Sequence, residues 1–239
     1  MSVFRFKRFE VVNERSAMKV NTDGVLLGAA MTIRPEDRTF LDIGTGTGTI
    51  ALMAAQRVDH PQMRIDAIDI DEPSASEAAR NFAASPWGGT MHAFNLSLDQ
   101  FGSSTEGKYD LIFSNPPYFE DSLTAPDERK STARHTSDGL SYRDIFDFAS
   151  FRLSENGRVS LVLPADQELQ LTRYARMSGF GLFRIMRIRT VPRKAPSRIV
   201  AEFIPGRCDE AEDFVLTIQD EGKYTQEYLS LTRDFYLFA

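Results

Sequence analysis

Residues 42–48 read Asp42-Ile-Gly-Thr-Gly-Thr-Gly48, and these alternate glycines constrain the fold more than any other feature of the chain. The apolar run 39–43 before them predicts a buried strand, and the Ala- and Leu-rich run 49–57 after them predicts a helix. A strand that turns at once into a helix needs backbone angles that favour glycine, and a ligand can then contact the backbone without a Cβ in between. The run therefore predicts a nucleotide-type ligand loop in an α/β fold.

Strand-like and helical patterns alternate along the chain, with strands expected at 64–70, 90–95, 109–114, 158–163, 180–190 and 199–204 and helices at 71–85, 142–153, 167–178 and 225–236. This order predicts a mostly parallel sheet with helices on both faces. Residues 4–7 alternate like a strand, and 214–219 is a candidate extra strand. We expect a single domain over 1–239, with an N-terminal extension (1–35), a core (36–205) and a C-terminal strand and helix (206–239).

The composition argues against several classes of protein. No apolar run in the 239 residues reaches the roughly 18 residues that a membrane span needs, and the N-terminus lacks the apolar segment of a signal peptide. The single cysteine, Cys208, excludes an internal disulfide and a cysteine-rich metal site. The three histidines show no metal-ligand spacing. We therefore expect a cytoplasmic protein that binds no metal and no membrane, and we favour a monomer.

A second motif, Asn115-Pro-Pro-Tyr-Phe119, directly follows the strand expected at 109–114. The nitrogen of an aromatic amine or an amide is a poor nucleophile because its lone pair is delocalised. Two acceptors at tetrahedral angles, Asn115 Oδ1 and the Pro116 carbonyl, would draw its N–H bonds and turn the lone pair outward, and the prolines stiffen the turn. Tyr118 can stack on a flat base. The motif predicts methylation of a planar nitrogen, with the catalytic residues Asn115, Pro116, Pro117 and Tyr118.

The glycine run suits the methyl donor for this reaction, S-adenosyl-L-methionine, which leaves as S-adenosyl-L-homocysteine. Its spacing differs from the G-x-G-x-x-G of dinucleotide enzymes, and this donor has no phosphate to be held. An acid at the end of the second strand would bind the ribose, with Asp69 favoured and Asp71 as the alternative. Asn95, after the third strand, would bind the adenine amino group. A turn without a ligand and a site for NAD are the competing interpretations of the glycine run.

The charge distribution favours a nucleic-acid partner although the net charge of −6 does not. Residues 184–198 contain six basic residues and no acid, and smaller basic groups lie at 5–8 and 129–134. Phosphate binding depends on the local field, not on the total charge. The alternative is that these residues belong to solvated faces of strands and loops. Our candidates for RNA contacts are Arg5, Lys7, Arg134, Arg189, Arg193 and Lys194.

Both motifs are similar to those of the class I S-adenosylmethionine-dependent methyltransferases that act on amino and amide nitrogens. Three further segments resemble the bacterial valine-tRNA adenine-N(6) methyltransferase family, namely Phe4-Arg-Phe-Lys-Arg-Phe9, Ala17-Met-Lys-Val-Asn-Thr-Asp-Gly-Val-Leu-Leu-Gly-Ala29 and the ending Tyr228…Arg233-Asp-Phe-Tyr236. The resemblance covers nearly the whole chain, and its N-terminal block is the specific part, because the other two motifs are shared widely.

The resemblance implies a Rossmann-like class I fold with a seven-stranded, mostly parallel sheet. It also implies methylation of N(6) of the adenine just 3′ of the anticodon in a valine tRNA. By this resemblance, the methionine end of the cofactor would be held by Asp42, Gly44, Gly46 and Gly48. The ribose would be bound by Asp69, and the cofactor pocket would be covered by Lys19, Thr22 and Asp23. Asn95 departs from the family pattern, which has aspartate there.

Three other functions compete with this interpretation. A glutamine-amide protein methyltransferase uses the same acceptor geometry, but such enzymes usually carry a separate helical N-terminal domain, and only about 35 residues precede the first core strand here. A DNA adenine methyltransferase would have a sizeable target-recognition domain. A non-catalytic RNA-binding module would not require an intact Asn-Pro-Pro-Tyr motif.

Overall fold

The structure, a computed structural model, describes residues 2–16, 18–58, 60–117 and 139–238. Its strands are β1 (Val3–Arg5), β2 (Glu10–Val12), β3 (Thr39–Ile43), β4 (Arg64–Asp69), β5 (Met91–Asn95), β6 (Tyr109–Ser114), β7 (Leu153–Pro164), β8 (Phe180–Arg189), β9 (Arg198–Pro205), β10 (Glu212–Thr217), β11 (Gln219–Asp220) and β12 (Lys223–Tyr224). Its α-helices are α1 (Thr22–Ala30), α2 (Thr49–Val58), α3 (Glu72–Ala83), α4 (Leu98–Ser104), α5 (Tyr142–Arg152), α6 (Glu168–Met177) and α7 (Gln226–Thr232).

A central sheet with the strand order β10-β8-β9-β7-β6-β3-β4-β5 organises the fold. Seven of its described strands run in one direction, and β9 runs against both of its neighbours. The mostly parallel sheet is therefore confirmed, but it has eight strands and not seven. The additional edge strand is β10, which pairs with β8 and places Glu212 opposite Arg184.

Two apolar layers cover the two faces of this sheet. Successive side chains of a strand point to opposite faces, and in β3 the buried Phe40 joins one layer while the buried Leu41 joins the other. The first layer includes α1, α2 and the N-terminal hairpin β1–β2, and the second includes α5 and α6. Among the described helices, none combines the length and the apolar character of a membrane span.

The predicted elements agree with the structure best where the pattern is long and apolar. β3 and β6 have the bounds expected from the sequence. Helix α4 was not predicted, because its seven residues carry no helical apolar repeat; a capping box between Ser97 and Gln100 marks its start. The terminal helix ends at Thr232, earlier than the expected Tyr236, and the expected strand 158–163 begins already at Leu153.

Helix α3 fastens the N-terminal extension against the glycine run. The buried Glu77 carboxylate accepts hydrogen bonds from the backbone amides of Glu14, Arg15 and Ser16 at 2.9–3.0 Å. Asn81 Nδ2 donates to the carbonyls of Val12 and Thr47 at 3.0 and 2.9 Å, respectively. Burial alone would raise the pKa of Glu77, but the three backbone amides outweigh it and hold the pKa below its ordinary value.

We expect Glu77→Gln to destabilise the fold. An amide has one acceptor oxygen, so at least one buried backbone amide loses its partner, which costs roughly 1–3 kcal/mol. The difference in the free energy of unfolding between the variant and the wild type should narrow as the pH falls through the lowered pKa of Glu77, because protonated Glu77 also loses acceptor capacity. Denaturant unfolding of both proteins at several pH values measures this, with the exposed Glu155→Gln as the control. Equal unfolding free energies at neutral pH would contradict this role of Glu77.

Candidate active site

The glycine run forms a tight turn between β3 and α2. Gly46 and Gly48 have φ angles of +57° and +80°, a region that side chains disfavour. A Cβ at Gly48 would also lie 2.5 Å from the Phe82 ring, so any other residue at this position would have to displace that buried ring. The amides of Gly44 and Thr45 donate to the Ile68 carbonyl at 2.9 and 3.0 Å, which holds the turn against the end of β4.

Asp42 lies fully buried beneath this turn. Its Oδ2 accepts a hydrogen bond of 2.7 Å from Thr45 Oγ1, and the Ala51 backbone amide faces the carboxylate. Its Oδ1 is buried and makes no hydrogen bond of normal length and angle among the described residues. Burial raises the pKa of Asp42 to about 7, although the Thr45 hydroxyl partly opposes the shift. A buried carboxylate oxygen without a partner suits the ammonium group of an amino-acid ligand, because that group would supply both a hydrogen bond and a compensating charge.

The ends of the neighbouring strands place Asp69 and Asn95 beside the same turn. Asp69 Oδ2 accepts from the Gly46 amide at 2.8 Å, and Oδ1 accepts from the Asp71 amide at 2.9 Å. Asp71 instead caps α3 through the Ser74 amide, so its carboxylate already serves the helix. The acid that points at the glycine turn is therefore Asp69. Burial raises its pKa, and the two backbone amides partly oppose this.

Asn95, at the end of β5, forms hydrogen bonds to the end of β4. It lies opposite Asp69 in the register, and its Nδ2 donates to the carbonyls of Asp69 and Ile70 at 3.0 and 2.9 Å. Ile70 follows Asp69 directly in the chain, and its large apolar side chain is 78% exposed. The sequence pattern does not single out Ile70 as a candidate site residue. The only sequence feature that marks this residue is its position as an apolar residue between Asp69 and Asp71.

Asn115 lies at the end of β6, beside the glycine turn. Ser114 Oγ donates to the Ile43 carbonyl at 2.6 Å and locks the ends of β6 and β3 together. Asn115 is 7% exposed and lines a cavity of about 30 Å³ together with Gly44 and Gly46. Its Nδ2 lies 3.6 Å from Met18 Sδ, which belongs to the N-terminal segment over this cavity. Pro116 is buried and Pro117 is exposed. Tyr118 lies outside the described residues.

The three N-terminal residues that the resemblance assigns to the cofactor pocket are divided between two cavities. Lys19 lines the cavity at the glycine turn, and its Nζ donates to the Asn13 carbonyl at 2.9 Å. Thr22 and Asp23 line a separate and larger cavity, where Asp23 Oδ2 lies 2.8 Å from Arg198 Nε. Asn21, which caps α1, lies between these positions in the chain and lines the smaller cavity.

The basic stretch 184–198 is largely neutralised at its strand positions. Arg184 pairs with Glu202 and Glu212, and Arg187 pairs with Glu168 and Asp213. Three of these acids lie outside the stretch by ten or more residues and all four lie outside its bounds, so the local sequence did not reveal that Arg184 and Arg187 are paired.

The turn after β8 retains exposed basic residues. Arg193 and Lys194 are exposed there. Arg189 donates to Thr217 Oγ1 at 2.8 Å and to the Pro192 carbonyl at 3.0 Å, and it thereby stabilises the turn. Arg5 pairs with Glu10 on the N-terminal hairpin, and Lys7 Nζ donates to the Arg233 carbonyl. Arg134 lies outside the described residues.

Comparison with known proteins gives this arrangement a class. Residues 15–172 match the family model of the methyltransferase small domain. The fold is similar to a crystal structure described as a predicted O-methyltransferase from Agrobacterium tumefaciens, with a TM-score of 0.67 at 17% identity over 89% of this chain and 96% of that chain. The fold is that of a Rossmann-like class I methyltransferase.

Relatives in sequence narrow this class. Proteins named tRNA1(Val) (adenine(37)-N6)-methyltransferase are 39% identical in Flavobacterium johnsoniae, over 98% of this chain and 99% of the relative, and 40% identical in Bacteroides fragilis, over 98% and 97%. The chain therefore belongs to the tRNA1(Val) (adenine(37)-N6)-methyltransferase family. The resemblance noted in the sequence is confirmed. In the part of the chain that the structure describes, no group of His, Cys, Asp or Glu side chains could hold a metal ion.

The raised pKa of Asp42 predicts a pH-dependent stability. Between the ordinary aspartate pKa of about 4 and the folded value of about 7, the unfolded state ionises and the folded state does not. The free energy of unfolding should therefore fall with rising pH, by up to about 1.4 kcal/mol per unit from this group.

Asp42→Asn removes this group, and its amide oxygen can still accept from Thr45. We expect the variant to gain stability relative to the wild type at pH 8 and to bind S-adenosylhomocysteine more weakly. Thermal unfolding and calorimetric titration at pH 5 and pH 8 measure the two effects. A variant that binds the ligand as tightly as the wild type at pH 8 would show that this carboxylate does not contact the ammonium group.

Proposed function

We propose that this protein transfers a methyl group from S-adenosylmethionine to N(6) of an adenine in tRNA, next to the anticodon of a valine tRNA. The observation that carries the proposal is the meeting of Asn115 and the glycine turn around one cavity. The names of the relatives support the choice of an adenine in tRNA1(Val) as the target.

The residues around the glycine turn suit the methyl donor. The Asp42 carboxylate would bind its ammonium group, and the Asp69 carboxylate would accept its ribose hydroxyls. The exposed side chain of Ile70 offers an apolar face for its adenine, with Asn95 at the edge. When bound, S-adenosylmethionine supplies an activated methyl group on a sulfonium. Polar groups that are already fixed by hydrogen bonds need little reorganisation on binding.

The target adenine would meet Asn115 and Pro116. Asn115 Oδ1 and the Pro116 carbonyl would accept the two N–H groups of the exocyclic amine and direct its lone pair toward the methyl group. The proton is lost to solvent after the transfer, so the reaction needs no general base. Position and electrostatics therefore carry the rate. Tyr118 would stack on the base, and Pro117 would keep the turn rigid.

Met18 occupies space that both S-adenosylmethionine and the target adenine would need. Its sulfur lies 3.6 Å from the Asn115 amide nitrogen, and the cavity beneath it is only about 30 Å³. Sites for drug-sized ligands usually measure several hundred Å³. The segment 18–21 would therefore shift away from Asn115 when donor and substrate bind, while the hydrogen bonds of Glu77 keep residues 14–16 in place.

Glutamine-amide methylation remains the alternative, because an amide nitrogen needs the same two acceptors. Incubation of the protein with isotope-labelled S-adenosylmethionine and either tRNA or a protein extract distinguishes the two. We expect label in tRNA and, after nuclease digestion, in N(6)-methyladenosine. Label in protein alone would overturn the proposal, and label in neither would favour a non-catalytic RNA-binding module.

We expect Asn115→Ala to lower kcat by at least about 100-fold, as the loss of one fixed polar group at a reacting centre commonly does. Its affinity for S-adenosylhomocysteine should stay within about threefold of the wild type, because other residues hold the donor. Single-turnover methylation and calorimetric titration measure the two quantities. The control is Asn156→Ala, an exposed asparagine on β7. Near-normal turnover of Asn115→Ala would remove Asn115 from the reaction.

We expect Arg193→Ala with Lys194→Ala to weaken tRNA binding and to make it less dependent on salt. Each phosphate contact contributes roughly one unit to the slope of log K against log salt, so the slope should fall by up to about two. Binding titrations at several salt concentrations measure the slope. Arg173→Ala with Arg176→Ala, which removes two exposed arginines from α6, is the control. Equal slopes for both double variants and the wild type would place the contacts elsewhere.

A further inference from the structure

A second cavity, with a volume of about 390 Å³, lies beside the candidate active site. It is lined by the first turns of α1, by residues around the end of β8 and the start of β9, and by Gln219, Tyr224 and Tyr228 of the hairpin β11–β12 and helix α7. Because the Asp23–Arg198 ion pair crosses its wall, we call it the Arg198 cavity. Its volume lies within the range of sites for small organic ligands.

The walls of the Arg198 cavity carry both donors and acceptors of hydrogen bonds. Asp23 and Arg198 have 23% and 34% of their side chains exposed, respectively. Thr190 and Ser197 add exposed hydroxyl groups from the two strand ends. A nucleobase presents donors and acceptors along its edge, so a wall that combines carboxylate, guanidinium and hydroxyl groups can pair with such an edge.

One side of the cavity is aromatic. Tyr224 and Tyr228 line it with their ring centroids 5.0 Å apart. Phe238 lies 5.4 Å from Tyr224 at an interplanar angle of 16°, and it stacks on Tyr236 at 4.7 Å. Tyr224 and Phe238 are 41% and 58% exposed. Exposed aromatic rings next to basic side chains are the usual platform for single-stranded nucleic acid.

The position of the cavity connects it with the active site. Asn21 and Gly24 line the cavity that contains Asn115, while Thr22 and Asp23, which lie between them in the chain, line the Arg198 cavity. Consecutive Cα atoms are about 3.8 Å apart, so the two cavities adjoin across a single helical turn. The turn with Arg193 and Lys194 directly follows Thr190 at the rim. A strand bound along this rim would have cations beside its backbone.

We propose that the Arg198 cavity holds the base of a nucleotide that neighbours the target adenosine in the substrate tRNA. This inference rests on the proposed function, because it needs an RNA whose target base lies at Asn115. Sequence-specific recognition of RNA mostly uses unpaired bases that are splayed out and held by aromatic and polar groups. The cavity thus contributes to the choice of RNA, and it has no part in the methyl transfer itself.

Ser197→Trp tests the proposal by filling the cavity from its exposed rim. The matched control is Ser150→Trp, which places the same side chain at an exposed serine of α5 that does not line the cavity. We expect the tryptophan variant to lose about tenfold or more in kcat/KM for an anticodon stem-loop RNA, in line with the loss of one stacked base. The Ser150→Trp control should stay within twofold of the wild type. Both variants should bind S-adenosylhomocysteine normally by calorimetric titration and show the circular dichroism of the wild type. Thr190→Trp serves as the second filling variant if Ser197→Trp misfolds.

A substrate series shows whether the lost contact is to a neighbouring base. Stem-loop RNAs with an abasic site directly 5′ or directly 3′ of the target adenosine are methylated by the wild type and by the filling variant. We expect one abasic site to lower wild-type kcat/KM about tenfold and to have little further effect on the filling variant. A filling variant with normal kcat/KM, or losses that multiply, would overturn the inference. If the wild type methylates no tRNA at all, the proposed function fails first.

Discussion

The pairing of β3 with β6 is the constraint on which the rest of the candidate site depends. Parallel strands end at the same edge of a sheet, and here Ile43 and Ser114 are register partners joined by a hydrogen bond of 2.6 Å. The glycine turn follows one strand and Asn115 follows the other. The glycine run and the Asn-Pro-Pro motif, which are distant in sequence, are thereby brought together without any additional element.

The N-terminal extension completes the site, and α3 holds it there. The buried Glu77 carboxylate accepts hydrogen bonds from three backbone amides. Loss of any of these partners would lower the free energy of unfolding, because a buried polar group without a hydrogen bond is destabilising. Glu77 therefore couples the extension to the same helix that packs on Gly48 through Phe82. In the part of the extension that the structure describes, Met18 receives no comparable hydrogen bond from α3, and residues 18–21 are the part that we propose shifts when ligands bind.

Strand pairing in the central sheet places acidic side chains next to arginines of β8. The edge strand β10 brings Glu212 and Asp213 against Arg184 and Arg187, so a carboxylate offsets the charge of each of these two arginines of β8. The turn beyond the strand escapes this pairing and keeps Arg193 and Lys194 exposed. An acidic protein can therefore present a local basic surface, because exposed charges more than about 10 Å apart are largely screened at moderate salt.

The sequence by itself determined the α/β class, the strands that carry Asp42 and Asn115, and the chemistry of the two motifs, because long apolar runs and glycine or proline turns act locally. It also indicated the family, through the block around Lys19. Only the tertiary structure decided that Glu77 anchors the extension, that half of the basic residues in the stretch 184–198 are paired with acids, and that Asp23 pairs with Arg198. Those features depend on contacts between residues far apart in the chain, and a local sequence pattern does not predict such contacts.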